Sequence, residues 1–129
     1  MKNVVETSQA PAAIGPYSQA VTFGNLIFTS GQLPLVPETM AFAEGGIREQ
    51  TARSLKNVQA ILEESGSSLN AVIKTTCFLA DMNHFTAFNE VYTEFFGDKI
   101  PPARSCIQAG RLPKDALVEI EAVAYIEGV

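Results

Sequence analysis

The chain has 129 residues, of which 47% are apolar and 18% charged, and its formal net charge is −5. This length favours one domain spanning residues 1–129, and the apolar content suffices for a core without disulfides or metals. The acidic balance argues against a surface for nucleic acid or anionic membrane, because clustered positive charge binds those partners. No apolar run approaches the roughly 18 residues of a membrane-spanning helix, and the first residues lack the apolar centre of a secretory signal.

The first predicted elements are two strands that form a hairpin. Residues 10–16 contain two prolines and a glycine and are expected to form a loop. Strands are predicted over residues 18–23 and 26–30, with the turn signal Gly24-Asn25 between them. Residues 33–44 contain two more prolines and are expected to be irregular, with room for a short edge strand.

Two helices are predicted, the first over residues 47–65 and the second from residue 81 or 83 to residue 96. The first has a one-sided apolar stripe of helical period, and Gly66 follows it where a C-terminal cap is expected. The second has an aromatic stripe, which is typical of a helix packed on a sheet. Its members are Phe85, Phe88, Val91, Tyr92, Phe95 and Phe96.

Three further strands, over residues 72–80, 103–109 and 117–127, complete the predicted fold. The last strand alternates, and its apolar face should meet the helices; the members of this face are Val118, Ile120, Ala122, Ala124 and Ile126. Its other face mixes glutamates with Val123 and Tyr125, which indicates partial cover by another subunit. The element order predicts an α+β sandwich with a mixed sheet and both helices on one face.

The cysteines and the histidine limit the chemistry. Cys77 and Cys106 have no metal-binding spacing and are interpreted as reduced thiols of a cytoplasmic protein. His84 is the single histidine. A zinc site or a Ser-His-Asp triad would need more such residues, so no metal site is expected.

The run Pro-Pro-Ala-Arg-Ser-Cys at residues 101–106 is the most informative feature of the chain. Arg104 and Cys106 are two residues apart in a predicted strand, so their side chains should point to the same side. The planar guanidinium of arginine fits a carboxylate through two parallel hydrogen bonds. Glu119, expected on a neighbouring strand, is suited to handling a proton or a water molecule. Together these residues predict a small site for a small anionic substrate.

Five blocks of sequence, in a fixed order, carry a family resemblance. They are APAAIGPYSQA at 10–20, SGQ at 30–32, NEVY at 89–92, PARSC at 102–106 and RLPKDALVEIEA at 111–122. Together they resemble the RidA (YjgF/YER057c/UK114) family over essentially the whole chain. The resemblance implies a chorismate-mutase-like fold and a homotrimer with its sheets in a central barrel. It also implies binding sites in the clefts between subunits.

The activity implied by this resemblance is that of a 2-iminobutanoate/2-iminopropanoate deaminase. Such an enzyme hydrolyses reactive enamine and imine acids to 2-oxo acids and ammonia. Imino acids already hydrolyse readily in water, so orientation and one acid–base group, worth about 10²–10⁴-fold, should suffice. No metal, flavin or nucleotide cofactor is therefore expected.

The resemblance also assigns roles to residues of this chain. Arg104 holds the substrate carboxylate, and Glu119 orients or activates water, with Glu121 on the same face as the second choice. Cys106 lines the site and is not expected to act as a nucleophile, because no basic neighbour in the sequence activates it. The full set of predicted substrate-binding residues is Tyr17, Ser30, Gly31, Asn89, Arg104 and Cys106.

Two other functions stay open. The same cleft would also suit a trimeric module that senses 2-oxo acids without turnover; sensing needs Arg104, whereas hydrolysis should also need Glu119. RNA cleavage or translation inhibition has been attached to family members, but the acidic balance and the single His84 argue against it. Gln108 and Gly110 stand where the family commonly has glutamate and alanine, which points to an altered substrate range or affinity.

Overall fold

The computed structural model describes residues 1–98 and 100–128. In these two ranges, six strands form one sheet: β1 (Asn3–Val5), β2 (Ala20–Phe23), β3 (Leu26–Thr29), β4 (Val72–Leu79), β5 (Ala103–Gln108) and β6 (Val118–Tyr125). The same ranges contain the α-helices α1 (Ile47–Glu64) and α2 (Phe85–Phe96), and short 3₁₀ turns lie at Leu69–Ala71, Met82–His84 and Pro113–Asp115. Within the described ranges, neither helix combines the length and apolarity needed to cross a bilayer.

The strands lie in the order β1-β2-β3-β6-β4-β5. The β4–β5 pair is parallel, because the chain crosses over through α2 between these two strands, and the other neighbouring pairs are antiparallel. The predicted α+β architecture with a mixed sheet is confirmed. The last strand, β6, lies in the interior of the sheet between β3 and β4.

Both helices pack on the same face of the sheet. On β6 the predicted inward residues Val118, Ile120, Ala122 and Ala124 are buried, and they join side chains of α1 and α2 in one core. Burying a large apolar side chain contributes about 1.5–3 kcal/mol, so this alternating face fixes the register of β6.

The other face of the sheet, called here the open face, carries no helix from the described part of the chain. Strand register places several exposed apolar side chains on it, and their exposed fractions run from 40% to 62%. These side chains are Val4, Phe23, Phe28, Ile107 and Tyr125. An apolar surface of this kind commonly marks an interface. Cover by a further subunit stays a prediction.

Strand β1 was not predicted from the sequence. It has only three residues, too few for a periodic pattern. Pairing with β2 defines it instead, with Val4 opposite Val21 and Val5 opposite Ala20.

The second helix begins later than predicted. Asp81 accepts a hydrogen bond from the backbone N of Asn83 at 2.8 Å, so it caps the 3₁₀ turn Met82–His84 rather than an α-helix. The α-helix itself starts at Phe85. The first helix agrees with its prediction to within one residue, and Gly66 follows it with a φ of +85°, as expected of a C-terminal glycine.

The irregular segment after β3 is held by a buried side chain of α1. Asn57 is fully buried, and its Nδ2 donates to the carbonyl oxygens of Leu33 at 3.0 Å and Leu35 at 2.9 Å. Its Oδ1 accepts from Nε and Nη2 of Arg53. The predicted edge strand is reduced to an isolated bridge between Leu35 and Phe42. The amide of Asn57 thus replaces a strand ladder in satisfying this backbone.

Candidate functional site

A pocket of about 460 Å³ lies beside the start of β6. Four predicted site residues line it: Tyr17, Ser30, Gly31 and Glu119, called here the glutamate group. The remaining lining residues are Pro11, Ala12, Ile14, Gln19, Gln32, Leu33, Leu35, Pro113 and Lys114. Most of this wall is apolar, so a polar substrate would depend on few polar partners here.

Glu119 has the electrostatic character of an acid–base residue. Burial disfavours its charged form and raises its pKa, and the nearby negative charge of Glu121 raises the pKa further. The carboxyl group therefore keeps its proton to a higher pH than an ordinary glutamate. Glu121 is exposed and does not line the pocket, which favours Glu119 as the acting carboxyl.

Gly31 lies directly against the Glu119 side chain. A Cβ atom on Gly31 would lie 2.9 Å from Cδ and 3.1 Å from Cγ of Glu119, and it would also collide with Oε2. Backbone hydrogen bonds between Gln32 and Ile120, at 2.7 and 3.2 Å, hold the two segments side by side. A larger residue at position 31 would therefore displace the carboxyl group of Glu119 from this position. Its predicted contact with the ligand stays untested.

Ser30 and Tyr17 are both tied to the backbone. The Ser30 hydroxyl donates to the carbonyl oxygen of Ser18 at 2.5 Å. The Tyr17 hydroxyl accepts from the backbone N of Ile14 at 3.2 Å, and half of the Tyr17 residue is exposed. Tyr17 thus forms a wall of the pocket while its hydroxyl shapes the proline-containing loop.

Gln19 organises that loop, although it is not among the residues predicted for the site. Its side chain is buried; Oε1 accepts from the backbone N of Thr7 at 2.7 Å, and Nε2 donates to the carbonyl oxygens of Ala10 at 3.3 Å and Pro11 at 2.8 Å. These bonds fold the loop against the pocket. The sequence signal for this role is a glutamine among the apolar residues of a predicted strand, two residues after Tyr17.

Arg104 lies on the helix side of the sheet, beside α2. It is opposite Thr75 of β4, whose hydroxyl is hydrogen-bonded to that of Tyr92 at 2.8 Å. Nη1 of Arg104 donates to Oδ1 of Asn89 at 2.7 Å, and its Cζ lies 4.8 Å from the ring centre of Tyr92 and 5.5 Å from that of Phe85. These contacts hold the half-buried guanidinium in a fixed orientation.

Cys106 lies on the same side as Arg104, as strand alternation predicted. It is opposite Cys77 of β4, and both thiols are free. Burial raises the pKa of Cys106, and the positive charge of Arg104 lowers it by less. Burial raises the pKa of Cys77 to about 12. Both thiols are therefore mainly protonated at neutral pH and are poor nucleophiles.

The predicted site residues separate into two groups within one chain. Asn89, Arg104 and Cys106, called here the arginine group, lie on the helix side, whereas the glutamate group lies around the pocket. The expectation that Glu119 is on a strand next to Arg104 is wrong, because β4 lies between β5 and β6.

The separation of the two groups follows from the strand register. Arg104 is opposite Thr75, and Thr75 is opposite Ala122 on β6. Glu119 lies three residues before Ala122, so two strand spacings and three residues separate the Cα atoms of Arg104 and Glu119 by roughly 14 Å. Their side chains also leave opposite faces of the sheet. One small molecule cannot contact both within one chain.

The two residues that depart from the family pattern have different environments. Oε1 of Gln108 accepts from the backbone N of Met82 at 2.8 Å, so this side chain ties the end of β5 to the turn before α2. A glutamate would supply the same acceptor. No atom of the described residues lies within 4 Å of a Cβ atom placed on Gly110, and the structure gives no reason for glycine there.

Known proteins share this fold and sequence. The family model of Endoribonuclease L-PSP matches residues 7–126. The chain belongs to this family. A RutC family protein of Pyrococcus abyssi is 53% identical over 98% of both chains. The 2-iminobutanoate/2-iminopropanoate deaminase of Salmonella typhimurium is 46% identical over 96% of this chain and 98% of its own. The predicted RidA-family membership is confirmed.

A solved structure gives the same result for the fold. The crystal structure of Escherichia coli TdcF with bound serine superposes with a TM-score of 0.92 at 46% identity, covering 95% of this chain and 98% of that one. Similarity at this level extends to the arrangement of the sheet and both helices. The bound serine is a property of that relative.

Proposed function

We propose that the protein hydrolyses 2-imino acids of the 2-iminopropanoate and 2-iminobutanoate class to 2-oxo acids and ammonia, without a cofactor. One observation carries the proposal: the chain holds a fixed guanidinium and, separately, a half-buried glutamic acid of raised pKa beside a pocket. A substrate with a carboxylate next to a C=N bond needs one group to bind the anion and another to move protons.

The proposal includes a homotrimer in which the arginine group of one subunit meets the glutamate group of the next. The separation of Arg104 from Glu119 within one chain supports this arrangement, as does the apolar open face. In a closed ring, each interface pairs two different surfaces, and the pairing repeats around the ring. Each trimer would then hold three equivalent sites.

The mechanism follows from the two groups. Arg104 binds the substrate carboxylate through two parallel hydrogen bonds, and Asn89 keeps the guanidinium in orientation. Glu119 accepts a proton from a water molecule as the oxygen attacks the carbon of the protonated imine, which gives the carbinolamine. Glu119 then returns that proton to the nitrogen. The C–N bond breaks as the hydroxyl proton passes back to Glu119, so that ammonia leaves and the 2-oxo acid remains. A carboxyl group with a raised pKa suits both directions of transfer, because its pKa lies nearer to neutral pH than that of an ordinary glutamate.

The names of relatives support imine hydrolysis but are not uniform. The Salmonella typhimurium protein is named a deaminase of these imino acids, whereas the description of the family names an endoribonuclease. We rank RNA cleavage lower because the net charge is −5 and because His84 lies in the turn before α2, outside the residues that line the pocket. Binding of a 2-oxo acid without turnover is the main alternative.

The proposal is tested by generating 2-iminobutanoate in situ with a pyridoxal-phosphate-dependent dehydratase and measuring the rate at which the imine decays. The wild-type protein is expected to accelerate the decay, with general acid–base catalysis supplying about 10²–10⁴-fold. No acceleration would contradict the enzymatic proposal. Binding of 2-oxobutanoate without any acceleration would favour the sensing module instead.

A further inference from the structure

Lys114 has a backbone conformation that residues other than glycine rarely adopt. Its φ is 57° and its ψ is 21°, and the φ of the next residue, Asp115, is 59°. Two consecutive side-chain-bearing residues in the left-handed region are unfavourable, because Cβ crowds the backbone. Such strain persists where the surroundings enforce it, and it is concentrated at functional sites.

The turn that contains Lys114 is closed by an ion pair. Nε of Arg111 donates to Oδ1 of Asp115 at 2.8 Å, and Nη2 donates to Oδ2 at 3.3 Å. The guanidinium and the carboxylate thus form two parallel hydrogen bonds. Leu112 is buried beneath the turn, and its carbonyl oxygen accepts from the backbone N of Asp115 at 3.0 Å. Lys114 lies between these anchors, and its own side chain is exposed. The turn therefore presents this side chain outward.

Lys114 lines the same pocket as Glu119. Among the described residues that line this pocket, it is the sole cation. The other charges nearby are unfavourable to an anion, because Glu119 faces the pocket, Glu121 follows it on the same strand face, and the chain has a net charge of −5. A carboxylate entering the pocket meets repulsion that Lys114 can offset.

We propose that Lys114 guides the substrate, attracting small 2-imino and 2-oxo carboxylates into the glutamate pocket before an arginine binds them. This inference rests on the proposed function and adds the route by which the anion arrives. A positive charge at the mouth of a site with low-dielectric walls raises the local concentration of anions and the rate of encounter. Lys114 then acts on capture of the substrate and leaves the chemical step unchanged.

The variant Lys114→Asn tests this role. Asparagine tolerates the left-handed region better than most residues, so this change removes the charge and keeps the turn. At low ionic strength, kcat/KM for 2-iminobutanoate is expected to fall about three- to tenfold with kcat unchanged. The difference should nearly vanish in about 1 M salt, where the screening length is about 3 Å. Lys114→Arg should match the wild type, and so should Lys56→Gln, which removes an exposed charge on α1.

Several outcomes would overturn the proposal. They are an unchanged kcat/KM for Lys114→Asn at low salt, a loss that persists in high salt, and an equal loss in Lys114→Arg. The last two would show that the shape of the turn matters rather than its charge. The association rate of 2-oxobutanoate, measured by stopped flow, gives a separate readout. If the wild type failed to hydrolyse the imine, salt-dependent slowing of this association by Lys114→Asn would still support guidance, and an equal association rate would refute it.

Discussion

Replacing Arg104 by alanine is expected to return the decay of 2-iminobutanoate to its uncatalysed rate. The guanidinium is the group that we propose to bind the substrate carboxylate, and Asn89 and Tyr92 hold it in orientation. Lysine at this position would keep the positive charge but could not form the two parallel hydrogen bonds to the substrate carboxylate. Loss of one hydrogen bond to a charged group costs about 1.5–3 kcal/mol, so Arg104→Lys should lower kcat/KM by about 10- to 160-fold. Initial rates at several imine concentrations measure both effects.

The matched control for Arg104 is Arg48→Ala. Arg48 forms an exposed ion pair with Glu90 at 2.6 Å, which links α1 to α2 at the surface. Such pairs contribute about 0–1 kcal/mol, so this variant loses the same charge and should keep its activity. Circular dichroism and sedimentation establish that each variant is folded and assembled. Full acceleration by Arg104→Ala would disprove carboxylate binding by this residue.

Replacing Glu119 by glutamine is expected to lower kcat by about 10²–10⁴-fold, the usual contribution of a general acid or base. The glutamine side chain has nearly the same size and shape as that of glutamate and fits beside Gly31, so binding of 2-oxobutanoate should persist. Since the sensing alternative needs Arg104 alone, loss of turnover with retained binding distinguishes the two functions. Steady-state rates and calorimetry on the same preparation provide the two measurements.

The raised pKa of Glu119 has a defined effect on pH dependence. When Glu119 acts as a base, kcat/KM should fall as the pH drops through this pKa, at a higher pH than for an ordinary glutamate. The folded state also holds this proton more tightly than the unfolded state, so ionisation disfavours folding. In the Arg104→Ala background, where no guanidinium of a neighbouring subunit faces this carboxyl group, Glu119→Gln should therefore raise the stability slightly at neutral pH. A less stable double variant would contradict the direction of the shift.

Glu121→Gln is the control for the choice between the two carboxylates. It removes the neighbouring charge that raises the pKa of Glu119. Activity should persist, and the acidic limb of the pH profile should move to lower pH. If Glu121→Gln lost activity and Glu119→Gln kept it, the roles of the two residues would be reversed.

Local patterns in the sequence account for most of the secondary structure. The alternation along β6 predicted its buried face because a strand places successive side chains on opposite sides. The same rule placed Arg104 and Cys106 together. Helical periodicity predicted α1 almost to its ends. These features depend on neighbours within a few residues, which a single sequence displays directly.

The strand order and the supporting residues depend on distant parts of the chain. Insertion of β4 between β5 and β6 separates Arg104 from Glu119, and no local pattern reports it. Gln19 acts through backbone groups 8 to 12 residues away. The left-handed conformation of Lys114 in a Pro-Lys-Asp turn is likewise set by the ion pair and burial around it.

Mixed oligomers test the shared site most directly. Arg104→Ala and Glu119→Gln chains, each inactive alone, would be co-expressed in equal amounts and purified together. In a ring with one arginine group and one glutamate group at each interface, random mixing leaves both groups intact at about one quarter of the interfaces. The proposed trimer therefore predicts about one quarter of the wild-type rate. A mixture that is no more active than either parent would contradict a site built from two subunits.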